Sequence, residues 1–514
     1  MRIGVDVGGT NTDAAALDGQ NVLATSKRTT TADVTGGIVA SVCAVMAEAE
    51  IEPEDVLALM IGTTQFLNAA VERRDLQRVG VLRLCGPATR SLPPMIDWPN
   101  HLRDMVDGEA ALVGGGYEFD GRPISPLDPG EIRSACRSWA AMGITAVAIN
   151  SVFAPVKDEM EIHAARIVNS EIPGVDLSLS HRIGHTGLLQ REGATILNAA
   201  LMGLSKSAVD AFQSAFSALG LACPLYLTQN DGTLMSADLA RRYPVFTISS
   251  GPTNSMRGAS FLTGHADRIV IDIGGTTTDV GMLVGGFPRT RGLGAEIAGI
   301  KTNFRVPDVH SFGLGGGSVI RQEGQRLTVG PESVGHGLTE RARVFGGDVL
   351  TATDLAVAAG FARLGNRAAV ADLDPAFVER AFLLMKSRIE NAVDRMKPAP
   401  APMPAVLVGG GSILVDGGLE GCSEVVRPPH FESANAIGAA IAQVSGEIDR
   451  VVSLDGKTRD EALAEVIAVA TNRAIEAGAD ADSVEVAELT ETPLAYLPGN
   501  AVRIAAKAVG NLAA

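Results

Sequence analysis

Ile271–Val280 reads IDIGGTTTDV and repeats a pattern already present at Val5–Ala14, VDVGGTNTDA. Each copy is an apolar, β-type run that reaches an Asp, one apolar residue, Gly-Gly-Thr, two further residues and a second Asp. The paired acids are Asp6 with Asp13 and Asp272 with Asp279, and Asp272 follows Asp6 by 266 residues. A repeat at that distance is a duplication on the scale of a domain. Glycine lets a backbone approach a bound group closely because no Cβ intervenes. Successive N–H groups in such a turn form a concavity for an anion. Gly8, Gly9, Gly274 and Gly275 are therefore candidates to cradle phosphates. Thr10, Thr12, Thr276, Thr277 and Thr278 would add hydroxyls, with Asp13 beside the first loop. An Asp at each strand end, Asp6 and Asp272, suits a hydrated divalent cation that neutralises phosphate charge. A Gly-rich hairpin capped by Asp explains either copy taken alone. Two copies, each entered from an apolar strand, point to a two-loop phosphate clamp.

Working outward, Arg2–Val7 is expected as a strand, followed by short strands at Asp13–Leu17 and Val22–Lys27 around the hairpin signal Asp18-Gly19. A helix (Thr35–Glu50), a strand (Val56–Ile61), a helix (Thr64–Arg73) and a strand (Arg78–Leu84) come next, an α/β succession with a mixed sheet. Residues 86–125, rich in Pro and Gly, read as an irregular insertion. Alternating helices and strands resume at 129 and end in a long helix near 188–219. The second copy of the loop is preceded by a helix up to about Thr263, and a Gly-rich, loop-like section fills 285–350. After helices at 354–360 and 375–396, the strand Ala405–Val408 enters Gly409-Gly410-Gly411-Ser412. Backbone at those glycines could lie flat against an adenine. A small-residue helix is expected at Ala434–Gln443, then an amphipathic helix at Arg459–Ala477 and a short finish containing β structure. The expected divisions are 1–85, 86–240, 241–445 and a C-terminal extension, 446–514.

The 514 residues suffice for two to four domains, and 46% hydrophobic with 20% charged residues is an ordinary globular balance. A net charge of −16 argues against a nucleic-acid partner. No apolar run has the length of a membrane span. The N-terminus enters a strand at once and has no secretory apolar segment, and the five cysteines are scattered, so a reduced, cytoplasmic protein is expected. There is no GxxxxGK[ST], which excludes a P-loop.

Two DxGGTxTD loops, a late VGGGS and a small-residue helix beyond it resemble the actin, sugar-kinase and heat-shock-chaperone ATPase fold, a duplicated α/β (ribonuclease H-like) architecture that closes on ATP in a cleft. More narrowly, the chain resembles the hydantoinase A/oxoprolinase family. The segments that carry the likeness are Val5–Asp13, Ile61–Ala69, Gln229–Ser236, Ser250–Pro252, Asp272–Asp279, Asp308–Ser318 and Pro428–Ala440, spread over residues 1–445. The resemblance implies ATP and Mg²⁺ as cofactors and ATP-dependent opening of a cyclic amide such as a hydantoin, lactam or 5-oxoproline. Phosphorylation of the amide oxygen would activate the ring for attack by water. It further implies a separate B-type subunit as partner, with a homo-oligomer left open. Asp6, Asp272 and Asp279 become the catalytic candidates, Asp6 and Asp272 the metal holders, and Gly409, Gly410 and Gly411 the adenosine-facing residues.

The chain departs from the family at Ile61, where a His usually stands, and around Leu189–Glu192, while Thr195 and Asn198 remain. These changes fall on elements expected to lie on the substrate side. His181 and His185 have the spacing of a helical metal pair, but the Arg-Ile-Gly between them reads as a loop. His310 could line the cleft or serve as a structural histidine. Other readings of the same loops are a small-molecule kinase, the ATPase subunit of an acetone-type carboxylase, and a non-catalytic reactivating chaperone.

Overall fold

The computed structural model describes residues 1–8, 11–30, 34–264, 267–291, 296–303, 306–324, 326–494 and 499–513. The opening strand, Arg2–Val7, pairs antiparallel with Asn11–Asp18 and parallel with Ala58–Thr63. The second copy repeats this plan: Ile269–Ile273 pairs antiparallel with Thr278–Val284 and parallel with Met403–Val408. In the first hairpin Asp6 stands opposite Asp13, and in the second Asp272 stands opposite Asp279. The duplication read in ten residues thus extends to a hairpin plus its parallel neighbour.

The first hairpin belongs to a nine-stranded sheet. From one edge its strands are Glu485–Pro493, Val502–Gly510, Gln443–Val452, Thr233–Ser236, Leu225–Thr228, Ala58–Thr63, Arg2–Val7, Asn11–Asp18 and Asn21–Thr29. Residues from both ends of the chain therefore build one sheet. The strand Gln443–Val452 crosses the division expected at 445, and the C-terminal segment supplies the sheet's outer strands rather than standing beside it. A six-stranded sheet holds the second hairpin, with Val309–Phe312 pairing onto Thr278–Val284.

A four-stranded parallel sheet is formed by Asp107–Gly114, Val79–Gly86, Ala146–Ser151 and Asp176–Leu179. The segment expected as irregular thus contains a helix, Asn100–Val106, and a sheet strand, Asp107–Gly114. Its prolines lie in the flanking loops, where they cost no ladder hydrogen bond. The Gly-rich 285–350 section likewise holds a hairpin, Ser318–Glu323 with Arg326–Ser333.

The helix Leu188–Ala218 spans 31 residues, and its first turns are buried even at Arg191 and Glu192. Arg83 grips Glu192 with two bonds of 2.6 and 2.5 Å, and Asn150 adds a third at 3.1 Å. A buried ion pair survives only when its geometry is complete, and this one joins the parallel sheet to the long helix. Two further helices, Ser250–Thr263 and Ala434–Ala440, cross at very short range. A Cβ on Gly258 would lie 1.7 Å from the Ala434 carbonyl, and one on Gly438 would lie 1.8 Å from that of Asn254. Only glycine permits this approach. It places Asn254 and Asn435 beside the opening strand.

Candidate functional site: two acidic hairpins and the helices between them

Four carboxylates converge from the two hairpins. Asp6 and Asp13 are almost fully buried, while Asp272 and Asp279 keep part of their surface exposed. Asp6 accepts from Asn254 Nδ2 at Oδ1 and from Asn435 Nδ2 at Oδ2, both at 3.0 Å. Lys27 Nζ reaches both oxygens of Asp13 at 3.0 Å and the Glu432 carbonyl at 3.2 Å. Its terminal carbon and nitrogen also lie 3.4 and 3.8 Å from where a Cβ on Gly410 would sit. Lys27 thus joins the first hairpin to the loop after Met403–Val408.

Burial dominates the electrostatics. It pushes the Asp6 carboxyl up to about 6, against the two asparagine donors, and the charges of Asp13 and Asp272 push the same way. Burial together with the Asp272 charge lifts Asp279 to about 6, against a hydrogen bond from Ser311. Asp13 and Asp272 are raised too, chiefly by burial; Lys27 opposes the rise at both, and a Ser255 bond opposes it at Asp272. Carboxylates that raise one another lack positive charge. The residues fit a divalent cation on this ground, with Asp6 and Asp272 able to hold it. Among the described residues no group of three or more His, Cys, Asp or Glu gathers as a ready ligand set. A cation here would complete its shell with water and phosphate oxygens, as Mg²⁺ commonly does.

The loops differ in detail from the sequence expectation. Gly9 and Thr10 lie outside the described residues. Gly8 and Gly274 do not offer N–H groups to a ligand, because they close their own turns on the carbonyls of Asn11 and Thr277, each at 2.9 Å. Thr12 and Thr278 are buried: Thr12 meets the Thr30 hydroxyl at 3.3 Å, and Thr278 donates to the Leu314 carbonyl at 2.7 Å. Strand alternation turns both side chains inward. Gly275, Thr276 and Thr277 remain at the loop surface.

Gly313–Ser318 (GLGGGS), the end of the Asp308–Ser318 segment that carries the family likeness, braces this second loop. Gly316 and Gly317 donate to the carbonyls of Gly274 and Gly275 at 3.0 and 2.7 Å. A Cβ on Gly315 would fall 2.6 Å from the Thr276 nitrogen.

Gly409 has φ +80°, and a Cβ there would sit 2.2 Å from Asp272 Oδ1. One on Gly411 would sit 2.6 Å from the Gly274 carbonyl. These glycines are required by packing against the second loop, whatever else faces them. Gly62 plays the matching part in the first copy, where a Cβ would lie 2.3 Å from Asp6 Oδ1. Ile61 beside it is fully buried in the core among Ile3, Val5 and Leu227.

Sequence reading missed Lys27, Asn254, Asn435 and Gly62. The two asparagines sit in segments that carry the family likeness or adjoin it, but their sequence neighbours give no sign of a shared carboxylate. Lys27 appears as one more polar residue on an edge strand.

Family models for the hydantoinase/oxoprolinase N-terminal region and for hydantoinase/oxoprolinase match residues 2–172 and 191–399. The chain belongs to the hydantoinase/oxoprolinase family. It is 27% identical over 389 residues to the caprolactamase subunit alpha of Pseudomonas jessenii, covering 70% of this chain and 54% of that protein. It is 25% identical over 400 residues to the acetophenone carboxylase gamma subunit of Aromatoleum aromaticum, covering 70% and 53%. The chain spans about half the length of these curated relatives. Among solved structures, the ATP-dependent caprolactamase from Pseudomonas jessenii superposes with a TM-score of 0.76 at 21% identity, over 100% of this chain and 88% of that one. Nucleotide-free acetone carboxylase superposes with a TM-score of 0.72 at 19% identity, over 99% and 88%. The fold is therefore the actin-like ATPase fold of these family members, with mixed α/β sheets and two related hairpins.

Proposed function

We propose that this chain is the ATP-using subunit of an amidohydrolase that activates a cyclic amide, such as a hydantoin, a lactam or 5-oxoproline, by phosphorylating its amide oxygen. The observation that carries the reading is the set of four carboxylates on two duplicated Gly-Gly hairpins, each raised chiefly by burial and three of them also by a neighbouring carboxylate of the set. Four carboxylates there meet a single cation among the described residues, Lys27, so the site is short of positive charge, and Gly275–Thr277 stand at the surface of the second loop. Likeness to a caprolactamase subunit supports the substrate class.

In this reading Asp6 and Asp272 hold the cation, and bound Mg²⁺ would neutralise the charge on the transferring phosphate. Asn254 and Asn435 fix the Asp6 carboxylate so that it need not reorganise when the metal complex arrives. Asp279 stands opposite Asp272 across the hairpin and sets the local negative potential. Lys27 offsets Asp13 and thereby keeps the first hairpin from repelling the nucleotide outright. The backbone of Gly275 to Thr277, with the Thr276 and Thr277 hydroxyls, faces the phosphates, and Gly409–Gly411 lie on the adenosine side. A B-type partner subunit would carry out the hydrolytic half, and the chain would act in the cytoplasm.

The test is ADP release by the purified chain, with and without that partner, over a panel of hydantoins, lactams and 5-oxoproline. Asp272→Ala is expected to lower turnover at least 100-fold while circular dichroism stays unchanged, and undiminished turnover in that variant would refute the clamp. The 25% likeness to an acetophenone carboxylase subunit favours a second reading, the ATPase subunit of a carboxylase. ADP release that requires bicarbonate and a ketone, with no response to cyclic amides, would decide for it.

A further inference from the structure

Lys27 stands on the outer strand Asn21–Thr29, directly opposite Asp13 in the antiparallel register. Asp13 in turn stands opposite Asp6. Cross-strand partners share one face of a sheet, so Lys27, Asp13 and Asp6 form a row that ends in the acidic site. Two roles are open to a lysine in this row, ligand of the phosphates or fixture of the protein, and its contacts choose between them.

An ammonium group carries three N–H donors and no acceptor. Lys27 Nζ has three acceptors: both oxygens of Asp13 at 3.0 Å and the Glu432 carbonyl at 3.2 Å. Its donors are therefore matched before any ligand arrives. The Asp13 side chain is only 4% exposed, against 31% for Lys27. Burial raises the Asp13 carboxyl, and Lys27 is the strongest influence opposing that rise. Moving the ammonium onto a phosphate would leave a buried carboxylate without its counter-charge, a change that strongly destabilises a fold.

The far end of the contact shows what the arrangement holds. Glu432 belongs to the turn Phe431–Ser433, which leads into the helix Ala434–Ala440. The carbonyl of Phe431 accepts from the Gly409 amide at 2.9 Å. Lys27 thus grips the turn that grips the first glycine of the Gly409–Gly411 loop. It also runs alongside that loop, since its Cε and Nζ lie 3.4 and 3.8 Å from the Cβ position of Gly410. One side chain fixes the first hairpin against a turn 405 positions later in the chain.

We infer that Lys27 is a strut that positions the Gly409–Gly411 loop for the adenosine, and that it is not a ligand of the phosphates. The inference rests on the ATP-using reading above and assigns one residue its part in it.

The test compares Lys27→Met with the wild-type chain. Hydrogen exchange of the ligand-free protein, read by mass spectrometry, is expected to quicken about fivefold or more over residues 407–414 and 429–435, with the strand Ala146–Ser151 unchanged. Calorimetric titration then gives Kd for ATP and for adenosine. A strut pre-organises the loop that both ligands share, so both values are expected to rise roughly fivefold or more, and by factors that agree within about twofold. A rise for ATP with adenosine spared would make Lys27 a phosphate ligand and overturns the inference. So does unchanged exchange over both segments, or unchanged affinity for both ligands, in the folded variant. Thermal unfolding checks the fold, with Lys27→Gln standing in should Lys27→Met fail to fold. If the wild-type chain binds neither ligand, the ATP reading falls, and exchange alone decides whether Lys27 holds the loop.

Discussion

At the residue scale the acidic site is built against its own stability. A carboxyl whose folded pKa is raised binds its proton more tightly when folded than when unfolded. Its folded state is therefore favoured at low pH and loses stability as pH rises from the ordinary value of 3.8 through the folded one. For Asp279, lifted to about 6, the loss amounts to at most about 3 kcal/mol and is complete above that pH. Asp279→Asn is accordingly expected to raise the stability of the ligand-free protein at pH 8 and to leave it unchanged near pH 3.5, as measured by urea unfolding at both values. An equal gain at both would mean that the carboxyl is not strained by its setting. Asp6, likewise raised to about 6, must be ionised to hold a cation. The affinity for Mg²⁺ with ATP should then fall roughly tenfold for each pH unit below 6, read by a thermal-shift titration. Of this chemistry the four Asp positions were legible in the sequence, because a strand, a Gly-Gly turn and a fixed spacing are local features. Lys27, Asn254 and Asn435 were not. Each acts on a partner distant in sequence, and nothing in its own neighbourhood distinguishes it from a solvated polar residue.

At the scale of elements the decisive contact is the crossing of Ser250–Thr263 with Ala434–Ala440. Its glycines allow backbone to touch backbone, and the asparagines one turn away then reach Asp6 from two sides. Gly438→Ala must separate the helices, since its Cβ would lie 1.8 Å from a carbonyl oxygen. Overpacking of this kind costs about 3 kcal/mol. It is expected to lower the unfolding midpoint in urea and weaken ATP binding together. Loss of stability with ATP affinity intact would show that the crossing does not position Asp6. The small-residue helix was read from Ala434-Asn-Ala-Ile-Gly-Ala-Ala, yet sequence could not say which helix it meets. Helices and strands with clear periodicity were read close to where they form, among them Pro129–Ala141 and the long helix from Leu188. Asp107–Gly114 escaped notice because it lies between proline-rich loops and alternates weakly. Gln443–Val452 escaped because Gly446 interrupts its pattern; that glycine is fixed by the Ala470 carbonyl, 2.1 Å from where its Cβ would be.

At the scale of the whole molecule, the first sheet takes strands from both ends of the chain. The strands Gln443–Val452, Val502–Gly510 and Glu485–Pro493 make up three of its nine. Ending the chain after Ala442 would leave the short strand Thr233–Ser236 as an edge and expose the apolar face around Leu234 and Met60, which these strands and the helix Arg459–Glu476 cover. Such a variant is expected to aggregate at concentrations where the full chain stays monodisperse in light scattering. A soluble, ATP-binding product would show that the sheet is complete without its C-terminal strands. The duplication was legible because it was copied as sequence. The closure of the sheet was not, because it depends on pairing across more than two hundred residues. Asp6 itself waits for Asn435, 429 positions later in the chain. On the ribosome, therefore, the hairpin at Asp6 is made long before one of its native partners. A nascent chain can form that hairpin early, but the Asp6 carboxylate lacks its Asn435 donor until the helix Ala434–Ala440 has emerged.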